Sequence, residues 1–259
     1  MLKKAWIDMM GRKVEIPQSP QRIISLVPSQ TELLYDLGLQ NIIVGQTIFC
    51  IHPQQYFLNS TKIGGTKKVK FQVIDDLNPD LIIGNKEENT MEMIEQLSIK
   101  YPVWLSDIYT IDDACSMINK IGEICNVSDK ANLISKQIHQ SFNQINNENL
   151  GTCLYLIWKD PYMSVGQNTF INHVLETIGF NNVIQKSRYP ELTVEEIVNL
   201  NPQTILLSSE PYPFKQKHID QLQEILPKAN IKLIDGEMFS WYGSRLKYSV
   251  DYFKEHFNV

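Results

Sequence analysis

A single offset of 123 residues relates two halves of this chain. Ile74-Asp-Asp-Leu77-Asn78-Pro79-Asp80-Leu-Ile82-Ile83 is matched by Ile197-Val-Asn-Leu200-Asn201-Pro202-Gln203-Thr-Ile205-Leu206. Each copy reads as a short helix, an Asn-Pro stop and a buried strand, because proline bars the preceding residue from continuing a helix. A second pair runs in the same order: Leu34-Tyr-Asp-Leu37-Gly38-Leu-Gln-Asn41-Ile42 and Leu175-Glu-Thr-Ile178-Gly179-Phe-Asn-Asn182-Val183. Repetition of a strand-and-helix unit in both halves predicts two similar α/β lobes. With 259 residues the chain has room for two domains.

Local signals agree. Ile23-Ile24-Ser25-Leu26-Val27 is an apolar run with strand character, and Ser29-Gln30-Thr31-Glu32 after it has the form of a capping box. A helix through Leu33, Leu34 and Leu37 stops at Gly38, and Ile42-Ile43-Val44 opens the next strand. Such βαβ units build parallel sheets with right-handed crossovers. The alternation continues with strands near 80–84 and 103–105 and helices near 90–98 and 110–125. A long helix is expected from Ser128 to about Asn147, followed by a polar break at 143–151. Strands at 153–158, 204–207 and 231–234, helices at 169–178 and from Thr193, and a terminal helix at 244–256 complete the pattern. The expected organisation is an N-terminal lobe at 1–126, a connecting helix at 127–149 and a C-terminal lobe at 150–259.

Composition removes several classes of function. The net charge is −5 and no basic block exceeds Lys67, Lys68 and Lys70, so nucleic acid is not an expected partner. No apolar run reaches the ~18 residues of a membrane span. The four cysteines form no Cys-x-x-Cys pair, which argues against a zinc knuckle or thioredoxin-type site. No apolar stretch follows Lys3 and Lys4. The expected location is therefore cytoplasmic if Met1 is the true start, and periplasmic or membrane-anchored if a leader was trimmed.

The familiar nucleotide, nucleophile-elbow and zinc-protease motifs are absent. Ligands of open parallel sheets sit beyond the carboxyl ends of the strands. Those ends carry Ser29, Phe49, Cys50, His52, Glu88, Trp158, Tyr162, Glu210, Tyr212, Phe239, Trp241, Tyr242 and Arg245. The aromatic share suits a flat, partly apolar ligand in a cleft between the lobes. The run Met238-Phe239-Ser240-Trp241-Tyr242-Gly243 follows neither helix nor strand period and is expected to face the ligand. His52 reads as an axial ligand or as a hydrogen-bonded loop residue. Cys50, two residues away, would share its side of an extended segment. Glu87 and Glu88 read as helix caps or cation ligands.

Arg22-Ile-Ile-Ser-Leu-Val-Pro-Ser-Gln-Thr-Glu32, Ile63-Gly64-Gly65, Leu77-Asn-Pro-Asp-Leu-Ile-Ile83 and the echo at Leu200, with the lead-in Asp8–Pro17, resemble the helical-backbone metal-chelate receptors over roughly residues 8–256. These are class III substrate-binding proteins of ABC importers, and the likeness is greatest to the cobalamin-binding branch. The resemblance implies two Rossmann-like lobes joined by one backbone helix, a monomer without catalytic residues or intrinsic cofactor, and a corrinoid, ferric siderophore or haem as ligand. It implies an ABC permease as partner. Where the branch places a stacking tryptophan this chain has Thr66, and where it places two docking glutamates it has Gln72 and Glu195, again 123 apart. The alternative expectation is a cytoplasmic two-lobe metal- or tetrapyrrole-handling enzyme such as a chelatase, with His52, Glu87, Glu88 and Glu210 as metal ligands.

Overall fold

The protein is described by a computed structural model covering residues 2–146, 148–257 and 259. Its elements are β1 (Lys3–Ile7), β2 (Lys13–Pro17), β3 (Ile23–Ser25), α1 (Pro28–Asp36), β4 (Ile43–Gln46), α2 (Gln54–Phe57), α3 (Phe71–Leu77), β5 (Leu81–Asn85), α4 (Met91–Ser98), β6 (Val103–Ser106), α5 (Ile111–Ile124) and α6 (Ser128–Phe142). They continue with β7 (Gly151–Trp158), β8 (Tyr162–Ser164), α7 (Phe170–Thr177), β9 (Phe180–Asn182), β10 (Glu191–Leu192), α8 (Val194–Leu200), β11 (Thr204–Ser208), α9 (Gln216–Ile225), β12 (Asn230–Ile234), α10 (Glu237–Ser240) and α11 (Leu246–Phe257).

The chain divides into two units. The first runs to Ile108 and adds Asp112–His139 and Tyr242–Arg245; the second holds Tyr109–Ile111, Gln140–Trp241 and Leu246–Val259. The division falls inside α6 rather than at its ends, and the four-residue segment Tyr242–Arg245 returns to the first unit. α6 stops at Phe142, short of the expected end, and Asn147 lies outside the described residues.

In the first unit four parallel strands run in the order β4-β3-β5-β6. The short sequences of β3, β5 and β6 are buried on both faces, as a helix-covered parallel sheet requires, and the edge strand β4 is buried in part. Beside them lies an antiparallel hairpin, β1-β2, which the sequence reading passed over. Its turn is built on the buried Asp8 carboxylate, which accepts from the amides of Met10 (3.0 Å), Arg12 (2.8 Å) and Leu105 (3.3 Å). Asp8 also pairs with the Arg12 guanidinium at 2.7 Å. In the second unit the order is β10-β8-β7-β11-β12, with β9 also on β7. The β9-β7-β11-β12 core is parallel, β8 runs antiparallel to β7, and β10 pairs antiparallel with β8 and so returns to the direction of the core. Leu154, Leu156, Ile205, Leu207, Ile197 and Leu222 fill the core on which α8 and α9 pack.

The 123-residue offset holds to the residue in three dimensions. α3 begins at 71 and α8 at 194, and β5 and β11 span 81–85 and 204–208. Between them Asn78 and Asn201 both adopt the left-handed conformation at φ 43°, which asparagine tolerates better than any other non-glycine residue. Even the side chain one residue past each proline keeps its task. Asp80 accepts from the amides of Gln21 (2.8 Å) and Arg22 (2.9 Å), and Gln203 Oε1 accepts from the amide of Thr152 (2.8 Å).

The helix starts differ. Thr193 Oγ1 accepts from the Glu196 amide (3.1 Å) and the Glu196 carboxylate accepts from the Thr193 amide (2.8 Å), the expected capping box of α8. Thr193→Ala is expected to cost about 1 kcal/mol, lowering the thermal midpoint by roughly 2–4 °C; an unchanged melting curve would show the cap to be idle. At α1 the expected Ser29–Glu32 box is absent. Pro28 occupies the first helical position, Val27 becomes the N-cap, and Ser29 moves inside the first turn. All four cysteines are buried and reduced.

Candidate functional site

In the first unit the loops after β3, β4 and β5 are organised by buried polar side chains. Thr31 Oγ1 donates to Ser25 Oγ (2.7 Å) and the Val27 carbonyl (2.9 Å), and lies 3.0 Å from Cys50 Sγ. Thr47 Oγ1 is 3.1 Å from the same sulfur, and Gln46 Nε2 donates to the Cys50 carbonyl (2.8 Å). Cys50 has no exposed surface, and burial pushes its thiol pKa up. This corrects the sequence expectation: Cys50 is an internal anchor, not a ligand-facing residue, whereas His52 is half-buried. The anchor holds out the residues around it. Ile48, Phe49 and Ile51 are 48%, 54% and 43% exposed, an unusual concentration of large apolar side chains on one loop. Phe49 rides on Gly65, where a Cβ would sit 3.2 Å from its ring, and the half-buried Thr66 accepts from Asn89 Nδ2 (2.9 Å) through its carbonyl.

After β5 the amides of Glu87 (2.8 Å) and Glu88 (3.1 Å) both donate to Asn85 Oδ1. Neither glutamate caps the next helix. Thr90 does so, accepting from the Met93 amide. Among the described residues no group of three or more His, Cys, Asp or Glu side chains is placed to hold a metal ion, so the imagined set of His52, Glu87, Glu88 and Glu210 does not assemble.

One ion pair joins residues far apart in the sequence. Glu32, freed from capping, takes Arg245 in a two-pronged ion pair: Nε to Oε2 at 2.9 Å and Nη2 to Oε1 at 2.6 Å. Both side chains are mostly buried. Burial raises the Glu32 pKa, Arg245 opposes that rise by hydrogen bond and charge, and His52 is close enough to oppose it too. Two residues before Arg245, Gly243 presses against α1, where a Cβ would lie 2.3 Å from the Ser29 carbonyl oxygen. Ser29 itself is 3% exposed, and its hydroxyl has no hydrogen-bond partner among the described residues. Such orphans are uncommon in native interiors, and this one leaves a donor and an acceptor unused at the first turn of α1. Tyr242 lies buried beside Gly243.

In the second unit Trp158, at the end of β7, is 40% exposed and meets Tyr212 edge to face at 5.5 Å. Tyr212 in turn packs on Phe214 at 4.8 Å, and Tyr162 is half-buried with its phenol pKa raised by burial. Glu210, past the end of β11, accepts from Ser240 Oγ (2.8 Å) and Trp241 Nε1 (3.0 Å) on one oxygen. Burial raises its pKa, the two donors lower it, and Glu237 and Asp235 add to the rise.

The aromatic run at 238–243 is corrected in part. It forms the short helix α10, and Phe239 has no exposure: it packs on Tyr155 at 5.4 Å and Phe253 at 4.7 Å. Phe239 is a core residue. Trp241 and Tyr242 are also buried, at 6% and 7% exposure. α10 packs against α7 and α11 and turns Phe239 inward; Trp241 and Tyr242 follow the helix and are buried as well.

Residues 23–226 match a family model described as periplasmic binding protein. A lipoprotein of Bacillus subtilis (strain 168), YvrC, described as an uncharacterized ABC transporter substrate-binding lipoprotein, is 25% identical over 213 residues, 77% of this chain and 67% of that one. Among solved structures, the periplasmic vitamin B12 binding protein BtuF of Vibrio cholerae superposes with a TM-score of 0.80 at 20% identity, covering 93% of this chain and 98% of that one. A periplasmic haem binding protein from Pseudomonas aeruginosa gives 0.78 at 19% identity, over 92% of each chain. At these identities the structural likeness speaks for the fold.

Proposed function

Because the chain belongs to the periplasmic binding protein family, we propose that it is the substrate-binding component of an ABC importer and that its ligand is a planar metal chelate of the corrinoid or haem kind. The family is non-catalytic, which removes the chelatase alternative. One observation carries the ligand class: two large aromatic side chains stand half-exposed at the carboxyl ends of parallel strands, Phe49 on the loop after β4 and Trp158 as the last residue of β7. Exposed rings at such positions offer stacking surface to a flat ligand. We propose Ser29, Thr66 and His52 on the first unit, and Tyr162 and Tyr212 on the second, as further ligand contacts. The names of the relatives support a site of action outside the cytoplasmic membrane. Among the described residues no helix is long and apolar enough to cross a membrane.

Titration by ultraviolet–visible absorbance against cyanocobalamin, haemin and ferric siderophores tests the reading. A dissociation constant tighter than ~100 μM for one of them is expected; weaker binding to all would leave a receptor too little affinity.

Docking to a permease falls on Gln72 and Glu195. Both are exposed and occupy the second position of equivalent helices, α3 and α8. Gln72 Nε2 donates to Asp76 within its own helix (2.9 Å) and brings no charge. Glu195→Ala is expected to slow association with a permease and flatten its salt dependence, with Gln72→Ala nearly silent. Equal retention of wild type and Glu195→Ala on immobilised permease would make Glu195 an ordinary solvated helix start.

A further inference from the structure

The pairing of Arg245 with Glu32 bears on which chelates the receptor accepts, and the argument rests on the function just proposed. Arg245 follows α10, and its guanidinium pairs with Glu32 on α1, one helical turn beyond Ser29, whose hydroxyl has no hydrogen-bond partner; His52 is close enough to act on Glu32. A guanidinium in that place would be a ready receptor for a carboxylate, since its planar fork matches two oxygens at once. Here the fork is already filled: Glu32 takes both Nε and Nη2, at 2.9 and 2.6 Å. A ligand carboxylate reaching Arg245 would have to displace Glu32, leaving a mostly buried carboxylate without its partner. The neighbouring orphan, Ser29 Oγ, makes the opposite offer: a neutral hydroxyl that donates to or accepts from an amide.

We infer that Glu32 is a specificity-determining residue: by occupying Arg245 it selects chelates whose rim carries neutral amides and rejects those whose rim carries carboxylates. Rejection built from a pre-filled cation differs from simple lack of affinity, because removing Glu32 should create a new acceptor site for anions.

Cyanocobalamin and its b-, d- and e-monocarboxylic acids provide the test. They share one shape and differ by a single amide-to-carboxylate exchange. Wild type is expected to bind at least one of the acids roughly tenfold or more weakly than the parent at pH 7.5, the scale of a lost or opposed charge-assisted contact. Glu32→Gln, isosteric and uncharged, should bring that ratio to about one or below as Arg245 turns to the ligand. Arg245→Gln, which leaves Glu32 uncompensated, should widen it, and this keeps the inference testable if Glu32→Gln folds poorly. Ratios within twofold of wild type in both variants, or a wild type that binds haemin with its two propionates more tightly than cyanocobalamin, would overturn it. A wild type that binds neither cyanocobalamin nor haemin would overturn the receptor reading and this inference together. Retained corrinoid binding with an unchanged ratio would overturn the inference alone.

Discussion

Phe239→Ala should melt the second unit well below wild type, with a loss of about 3–5 kcal/mol, the range for deleting a buried phenylalanine ring. For a chain of this size that corresponds to a fall of roughly 10 °C or more in the thermal midpoint. The reason is geometric. Phe239 has no exposed surface and touches Tyr155, Phe253, Tyr252 and Phe257, so it knits α10 to β7 and α11. Truncation leaves a cavity among side chains from three elements that cannot all move in. Ligand affinity per folded molecule should change far less than stability. A variant that melts like wild type but binds poorly would return Phe239 to the ligand surface, where its sequence context had placed it.

Gly243→Ala should cost about 2–3 kcal/mol, the usual penalty for forcing atoms into a packed site. The added methyl would meet the Ser29 carbonyl oxygen at 2.3 Å, and that oxygen belongs to the first turn of a helix rather than to a yielding side chain. Relief requires the Tyr242–Arg245 segment to lift from α1. Lifting it draws Arg245 away from Glu32, so the Gly243→Ala variant should lose the ion pair as well as the packing. A midpoint within roughly a degree of wild type would show that the segment has slack and that glycine is incidental there.

Both expectations expose what local sequence conveys and what it does not. The α3–β5 and α8–β11 repeats were legible because they depend on neighbours: an apolar face, a left-handed Asn, a proline and a strand within fifteen residues. The Thr193 cap was legible for the same reason. The role of Glu32 was not, because its partner lies 213 residues along the chain and Pro28 had shifted the helix start by local means. The run around Phe239 misled because three rings in four residues give no period from which to tell inside from outside. A periodic signal was present for α9, where His218 and Leu222 are buried one turn apart, and in the alternation of β2. Each is short and polar enough to pass for loop. Cys50 reads as ligand-facing from its place beyond a strand end, and only the contacts from Thr31, Thr47 and Gln46 show that the loop is pinned through its interior.

The burial of every thiol has a practical side. Cys50, Cys115, Cys125 and Cys153 are all at or below 9% exposure, and burial raises the pKa of each, to about 12 for Cys115 and Cys125. A protonated thiol inside a packed interior reacts slowly with electrophiles. The native protein should therefore stay unmarked by a maleimide dye under folded conditions. One cysteine introduced at Gln72 or at Glu195 would then be the reactive handle, with no need to strip the natural four, and the two equivalent helix starts could be tagged separately to test the docking proposed for them.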